Sequence, residues 1–231
     1  MSTIHLIGGE KGGVGKSVLA RVIAQYMIDK DIPFVGFDTD RSHGALLRFY
    51  TDYASPTVIG SYQSLDAIIE TAVAKPDHRI LVDLAAQTHY PLSAWIDESG
   101  VLELLQELGV KIVYWNVMDS GKDCVELLRK LLGHYSAKLS YVLVQNQIRD
   151  EDFSLLEFSG VKDSALELGA KIMILKRLYA PIMTKIDGNS SSFWAASNRD
   201  FENLNVLGLL DRQRLKLWLN QAYSQLDALG V

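Results

Sequence analysis

Residues 8 to 17, Gly8-Gly9-Glu10-Lys11-Gly12-Gly13-Val14-Gly15-Lys16-Ser17, constrain this chain more than any other segment. Gly12, Gly13 and Gly15 let the backbone curl until successive N–H groups face one anion, and a helix beginning near Lys16 adds its positive end to the same point. Such a loop needs a strand before it and a helix after it. Thr3-Ile4-His5-Leu6-Ile7 is short, apolar and β-branched, while Val18, Leu19, Val22, Ile23, Tyr26 and Met27 recur at helical spacing. The pattern G-x-x-x-x-G-K-[ST], aligned on Gly15-Lys16-Ser17, asks for glycine where Glu10 stands, and Gly9 lies one residue too early. What is present is K-G-G-x-G-K-S, with a second lysine, Lys11, five residues before Lys16. On this reading the backbone from Gly12 through Val14 to Val18 cradles phosphates. Lys16 reaches the β- and γ-phosphates, and the Ser17 hydroxyl ligates Mg²⁺. The competing reading is a glycine-rich turn that caps an ordinary helix.

The rest of the chain alternates between two periods. Strands are expected at Pro33–Asp38, Arg79–Asp83, Val110–Trp115, Ser140–Gln145 and Lys171–Leu175, nearly every one continuously apolar. Helical spacing follows Leu65, runs from Leu92 to Leu108, resumes at Val125, and ends the chain from Asp211 to Leu229. This alternation predicts an α/β fold, a doubly wound and mainly parallel sheet with helices on both faces, over residues 1–231 as one domain. Ligands of such sheets bind at the carboxyl ends of the strands. There Asp38, Asp83 and Asn146 close their strands.

The 231 residues, 48% of them hydrophobic, are enough for one sizeable core. A net charge of −5 gives no global attraction to nucleic acid or anionic lipid. Cys124 is the only cysteine, so no intrachain disulfide can form, and a reducing, cytosolic setting is expected. No apolar run approaches membrane-spanning length. His5 alternates with apolar neighbours as a core residue would, while His43, His78, His89 and His134 lack metal-ligand spacing. Ser190 to Trp194 is read as a helix start with buried aromatics, with a partner contact as the alternative. The stripe Leu215, Trp218, Leu219, Ala222, Leu226 and Leu229 is read as docking on the domain rather than on a membrane, because mixed charges surround it.

The segment Lys11-Gly12-Gly13-Val14-Gly15-Lys16-Ser17 resembles the deviant Walker A loop of ParA/MinD-type P-loop ATPases. Two further elements stand in the order that likeness requires. Asp38-Thr39-Asp40 resembles the family's first switch, which implies that Asp40 polarises the attacking water and Asp38 supports the Mg²⁺ shell. Arg41-Ser42-His43 follows where the family usually has proline. Asp83 looks like the Walker B aspartate that holds Mg²⁺ through water, although the glycine or proline common soon after it is missing from Leu84-Ala85-Ala86-Gln87-Thr88. For Asp40 an acidic turn is the rival reading, and for Gln87 an ordinary polar loop residue is preferred. Asn146 stands where resembling proteins read the base, opposite a wall from Leu175 to Pro181; a routine strand terminator is the equal alternative. By the same resemblance Lys11 crosses a dimer interface to the partner's phosphates.

The resemblance implies ATP and Mg²⁺ as cofactors, slow hydrolysis, and a homodimer in the ATP state that holds a protein partner or cargo adaptor. Non-specific DNA is left open as a partner, and membrane attachment is not expected. Asp38-Thr39-Asp40, with Arg212-Gln213-Arg214-Leu215-Lys216 and Gln225-Leu226-Asp227 near the end, is most similar to TraL-type and StbB-type ATPases of plasmid transfer and stability. A metabolic ATP-dependent enzyme on the same fold, or a scaffold that binds ATP without hydrolysing it, are the rivals.

Overall fold

The computed structural model describes residues 2–40, 44–198 and 207–231; Arg41, Ser42 and His43 lie outside them. The strand β1 (Thr3–Gly8) leads through the glycine loop into α1 (Lys16–Asp29), then β2 (Phe34–Asp38), α2 (Ala45–Phe49), β3 (Ala54–Pro56), α3 (Tyr62–Ala74) and β4 (Arg79–Asp83). Next come α4 (His89–Glu98), α5 (Val101–Glu107), β5 (Lys111–Met118), α6 (Lys122–Tyr135) and β6 (Ser140–Asn146). The chain closes with α7 (Ser154–Phe158), α8 (Val161–Glu167), β7 (Lys171–Leu175), α9 (Ala180–Gly188), α10 (Phe193–Asn198) and α11 (Leu209–Leu229).

Among the described residues the strands form one sheet in the order β3-β2-β4-β1-β5-β6-β7, every neighbouring pair parallel. The chain winds to one side of β1 and then to the other, which is the doubly wound α/β architecture expected from the sequence. Consecutive strand residues point to opposite faces, and β1, β4 and β6 are buried along nearly their whole lengths, so both faces are covered. The helix α1 packs with α2, α10 and α11. On a separate set of helices, Trp95 of α4 donates to Asp66 of α3 (2.9 Å) and Tyr135 of α6 donates to Ser93 of α4 (2.8 Å).

His5 is buried in β1, where its Nδ1 accepts a hydrogen bond from the Trp115 indole at 3.1 Å. Burial, with the Arg79 charge, lowers its pKa to about 3, so it is a neutral core histidine. The apolar stripe of α11 is turned inward as expected, with Leu215, Trp218, Leu219, Ala222 and Leu226 buried. Polar contacts fix its rotation: Tyr26 donates to Asp227 (2.7 Å) and Tyr223 to Asp29 (2.8 Å), both between α1 and α11. Among the described residues no helix is long and apolar enough to cross a membrane. One expectation at α10 is corrected. Phe193 is buried, but Trp194, about 100° further round the helix, is exposed.

The two edges of the sheet are closed differently. At one end β3 is three residues long and finishes on Pro56, which has no N–H to offer. At the other, the Gln225 amide of α11 accepts from the Ile174 N–H (2.7 Å) and donates to the Ile174 carbonyl (2.8 Å). One side chain thereby satisfies one of the outward backbone pairs that a further strand would have taken.

Candidate functional site

The glycine loop joins the carboxyl end of β1, in the middle of the sheet, to the first turn of α1. Gly12 and Gly13 lie exposed along the loop and Val14 is buried beneath it. Gly15 takes φ of 94° at the N-cap of α1, a left-handed conformation in which a side chain is strained, and a Cβ there would collide with the Asn146 amide. Lys16 is buried and folds back across its own loop, donating from Nζ to the Lys11 carbonyl at 3.1 Å. Burial lowers its pKa, and the charges of Asp83 and Glu10 pull it part of the way back. A desolvated ammonium over a curl of backbone N–H groups is a place for an anion.

On one side of the loop stand the carboxylates. Asp38 and Asp83 end neighbouring parallel strands and are register partners, so both reach the same rim of the sheet. The two oxygens of Asp38 accept from the Asp40 N–H and the Leu47 N–H, each at 3.0 Å. Burial nonetheless holds its carboxyl above the usual range. Both oxygens of Asp83 are buried without a hydrogen-bond donor. Burial, reinforced by the Asp38 charge, pushes Asp83 up to about 8, against the opposing influence of the Ser17 hydroxyl and the Lys16 ammonium. Two orphaned carboxylate oxygens beside a second carboxylate and a hydroxyl fit a hard divalent cation such as Mg²⁺. Among the described residues no cluster of three or more His, Cys, Asp or Glu side chains is placed to hold a metal by itself. A cation here would complete its shell with water or with oxygens of a ligand.

The middle residue of Asp38-Thr39-Asp40 has a part that its sequence position does not announce. The Thr39 hydroxyl donates to the Asp83 carbonyl (3.1 Å) and accepts from the Ala85 N–H (2.8 Å), which ties the ends of β2 and β4 together. Glu10 ties the glycine loop to the same region, since its carboxylate accepts from the His89 N–H at 2.8 Å and its carbonyl from the Gln87 N–H at 3.3 Å. Gln87 itself adopts a φ of 60°.

On the other side of the loop stand cations and amides. Lys11 pairs with Asp119 at 3.1 Å within its own chain. Asp119 directly follows β5 and is buried; it also accepts from the Gly121 N–H (3.0 Å) and the Cys124 thiol (3.1 Å). Burial alone would raise its pKa, but these donors and the Lys11 charge outweigh it and hold the carboxyl below the usual range. Arg149, from the loop after β6, adds a second cation 3.6 Å from Asp119. Asn146 ends β6, and its amide nitrogen donates to the Val14 carbonyl at 2.7 Å, bracing the glycine loop from the side. Beyond it opens a cavity of about 260 Å³ lined by Val18, Asn146, Leu175, Leu178 and Met183 among others, so Asn146 and the segment after β7 line one cavity.

Replacing Asn146 with alanine is expected to lower the unfolding free energy by about 1–2 kcal/mol, because the buried Val14 carbonyl loses its donor. A shift of the urea midpoint measures it; an unchanged midpoint would mean that the loop holds itself.

Asp119 and Arg149 were not singled out in the sequence. Asp119 was legible in principle, since extending the fifth-strand run past Asn116 to Val117 and Met118 puts it at a strand end like Asp38 and Asp83. Arg149 carries no such signal, because nothing local ties a loop arginine to a glycine loop far earlier in the chain.

No protein-family profile matches the chain. It overlays a solved nucleotide-binding protein from Archaeoglobus fulgidus in complex with ADP with a TM-score of 0.45 at 12% identity, over 95% of this chain and 88% of that one. Along its whole length it is 27% identical to a Protein TraL of Escherichia coli, all of whose length is also covered. It is 23% identical to Protein MobD of Acidithiobacillus ferrooxidans, over 97% of this chain and 96% of that protein.

Proposed function

We propose that this protein is a Mg²⁺-dependent ATPase of the ParA/MinD kind, working as a slow nucleotide switch in conjugative transfer. The observation that carries the reading is the glycine loop itself, with Lys16 desolvated over it and the Asp38–Asp83 pair on one flank. Full-length similarity to TraL and MobD supports the biological setting.

In this reading the N–H groups from Gly12 to Val18 and the Lys16 ammonium bind the β- and γ-phosphates. Asp83, Asp38 and Ser17 hold Mg²⁺, which when bound neutralises charge on those phosphates. Asp40 sits beyond the metal residues on the β2 side and orients the attacking water, a task of placement rather than of covalent chemistry. The Asn146 amide nitrogen is committed to the loop, which leaves its oxygen to accept from an adenine amino group in the cavity beside it. Lys11 reaches the phosphates of a second copy, and its pair with Asp119 must open for that to happen.

Light scattering and phosphate release test the switch. Asp40→Ala is expected to bind ATP while its turnover falls about 10²-fold or more, and to accumulate as a dimer with ATP and Mg²⁺. Lys11→Ala is expected to bind ATP and remain monomeric and inactive. If Asp40→Ala stays monomeric with ATP and Mg²⁺ at every workable concentration, the dimer switch fails and a single-subunit enzyme or scaffold replaces it.

A further inference from the structure

Asp119 faces two cations and can neutralise only one. Its place is fixed by the Gly121 N–H, the Cys124 thiol and the closer Lys11 ammonium, so Arg149 is the outer and looser member of the cluster. Arg149 meets Asp119 through Nε at 3.6 Å, beyond the range of a good hydrogen bond. Its side chain is 59% exposed. A Cβ built on Gly13 would stand 3.9 Å from a terminal guanidinium nitrogen, so the planar end of Arg149 lies against the glycine loop. The two flanks of the loop thus differ in sign. Carboxylates end β2 and β4 on one side, and a surplus positive charge stands beyond β5 and β6 on the other.

We infer that Arg149 contacts the terminal phosphate of the nucleotide in its own loop, with Asp119 as the anchor that keeps its guanidinium beside Gly13. The inference rests on the proposed ATP-binding role of that loop. A guanidinium presents its N–H groups in a fork that matches two phosphate oxygens, whereas an ammonium offers a point charge. The terminal phosphate of ATP carries the charge that ADP lacks, so a cation placed there separates the two nucleotides. Lys16, folded over the loop near Asp83, serves the β-phosphate as well as the γ-phosphate and so discriminates less between the two nucleotides, and Lys11 is drawn toward Asp119 and Gly121. If Arg149 were only a surface partner of Asp119, its removal would leave nucleotide affinity unchanged.

Calorimetric titration of the full chain with ATP and with ADP, each with Mg²⁺, tests the assignment in wild type, Arg149→Ala and Arg149→Lys. Arg149→Ala is expected to weaken ATP about tenfold and ADP less than about twofold, while Arg149→Lys recovers less than half of the loss. Circular dichroism checks that the exposed substitution leaves the fold intact. Wild-type binding with an ATP-to-ADP ratio that Arg149→Ala leaves unchanged would overturn the role of Arg149 and spare the ATP-binding reading. A wild-type protein that binds neither nucleotide would overturn both.

Discussion

Lys16→Ala is expected to lose ATP binding by roughly 10²–10³-fold, about 3–4 kcal/mol, with little change in the fold. The ammonium is buried, its pKa is lowered by that burial, and its hydrogen bond goes to the Lys11 carbonyl of its own loop. In the proposed function a phosphate oxygen replaces that carbonyl as the partner of the ammonium. Without the ammonium, phosphate charge in the curl of the loop is left mainly to N–H dipoles, because Lys11 is held by Asp119 and Arg149 stands at the outer side of the loop beside Gly13. The fold should be nearly indifferent, since alanine favours a helix start at least as well as a desolvated lysine. Calorimetry gives the affinity, thermal melting the fold, and mating frequency the consequence for transfer. Wild-type affinity in the variant would refute the phosphate-loop assignment.

Asp83→Asn is expected to do the opposite to stability, raising that of the ligand-free protein by up to about 4 kcal/mol at pH 7. The pKa of Asp83 is about 8 in the folded chain and about 4 in an unfolded one. Between those values the folded protein holds a proton that the unfolded chain has released, so wild-type stability falls as pH rises from about 4 to about 8. Asparagine has no proton to lose, so the Asp83 part of the slope should vanish from its profile, leaving the part of the same sign from Asp38, which burial also holds above its usual range. His5, lowered to about 3, contributes the reverse slope below about 6.5 in both proteins and cancels in the difference. The variant should also lose most of the extra ATP affinity that Mg²⁺ confers, because two orphaned carboxylate oxygens become one amide oxygen. Urea melts between pH 5 and 8, and titrations with and without Mg²⁺, give both readings. A variant less stable than wild type at pH 7 without ligands would show that the Asp83 charge is structural.

What the sequence made legible is the part of the site held by short-range rules. The glycine loop, Asp38, Asp83 and Asn146 each end a strong apolar strand, and the parallel sheet brings those ends to one rim. The strand β3 escaped because three residues ending in proline carry no periodicity. The helical run from Leu92 to Leu108 proved to be α4 and α5, divided at Gly100, whose φ of 60° breaks the helix. Polar Asn116 disguised the last turn of β5 and with it Asp119. Contacts such as Thr39 with Asp83, Glu10 with His89, and Arg149 with the loop depend on side chains meeting across the fold, which spacing along the chain does not encode.

The Gln225 amide has a consequence for how copies of this protein can meet. A parallel sheet with an open border can propagate, each molecule templating the next into a filament without any signal. Here the growing end is capped from within, by a side chain of the terminal helix that poses as one residue of an eighth strand. Pairing of another strand with the Ile174 backbone is thereby blocked from within the chain.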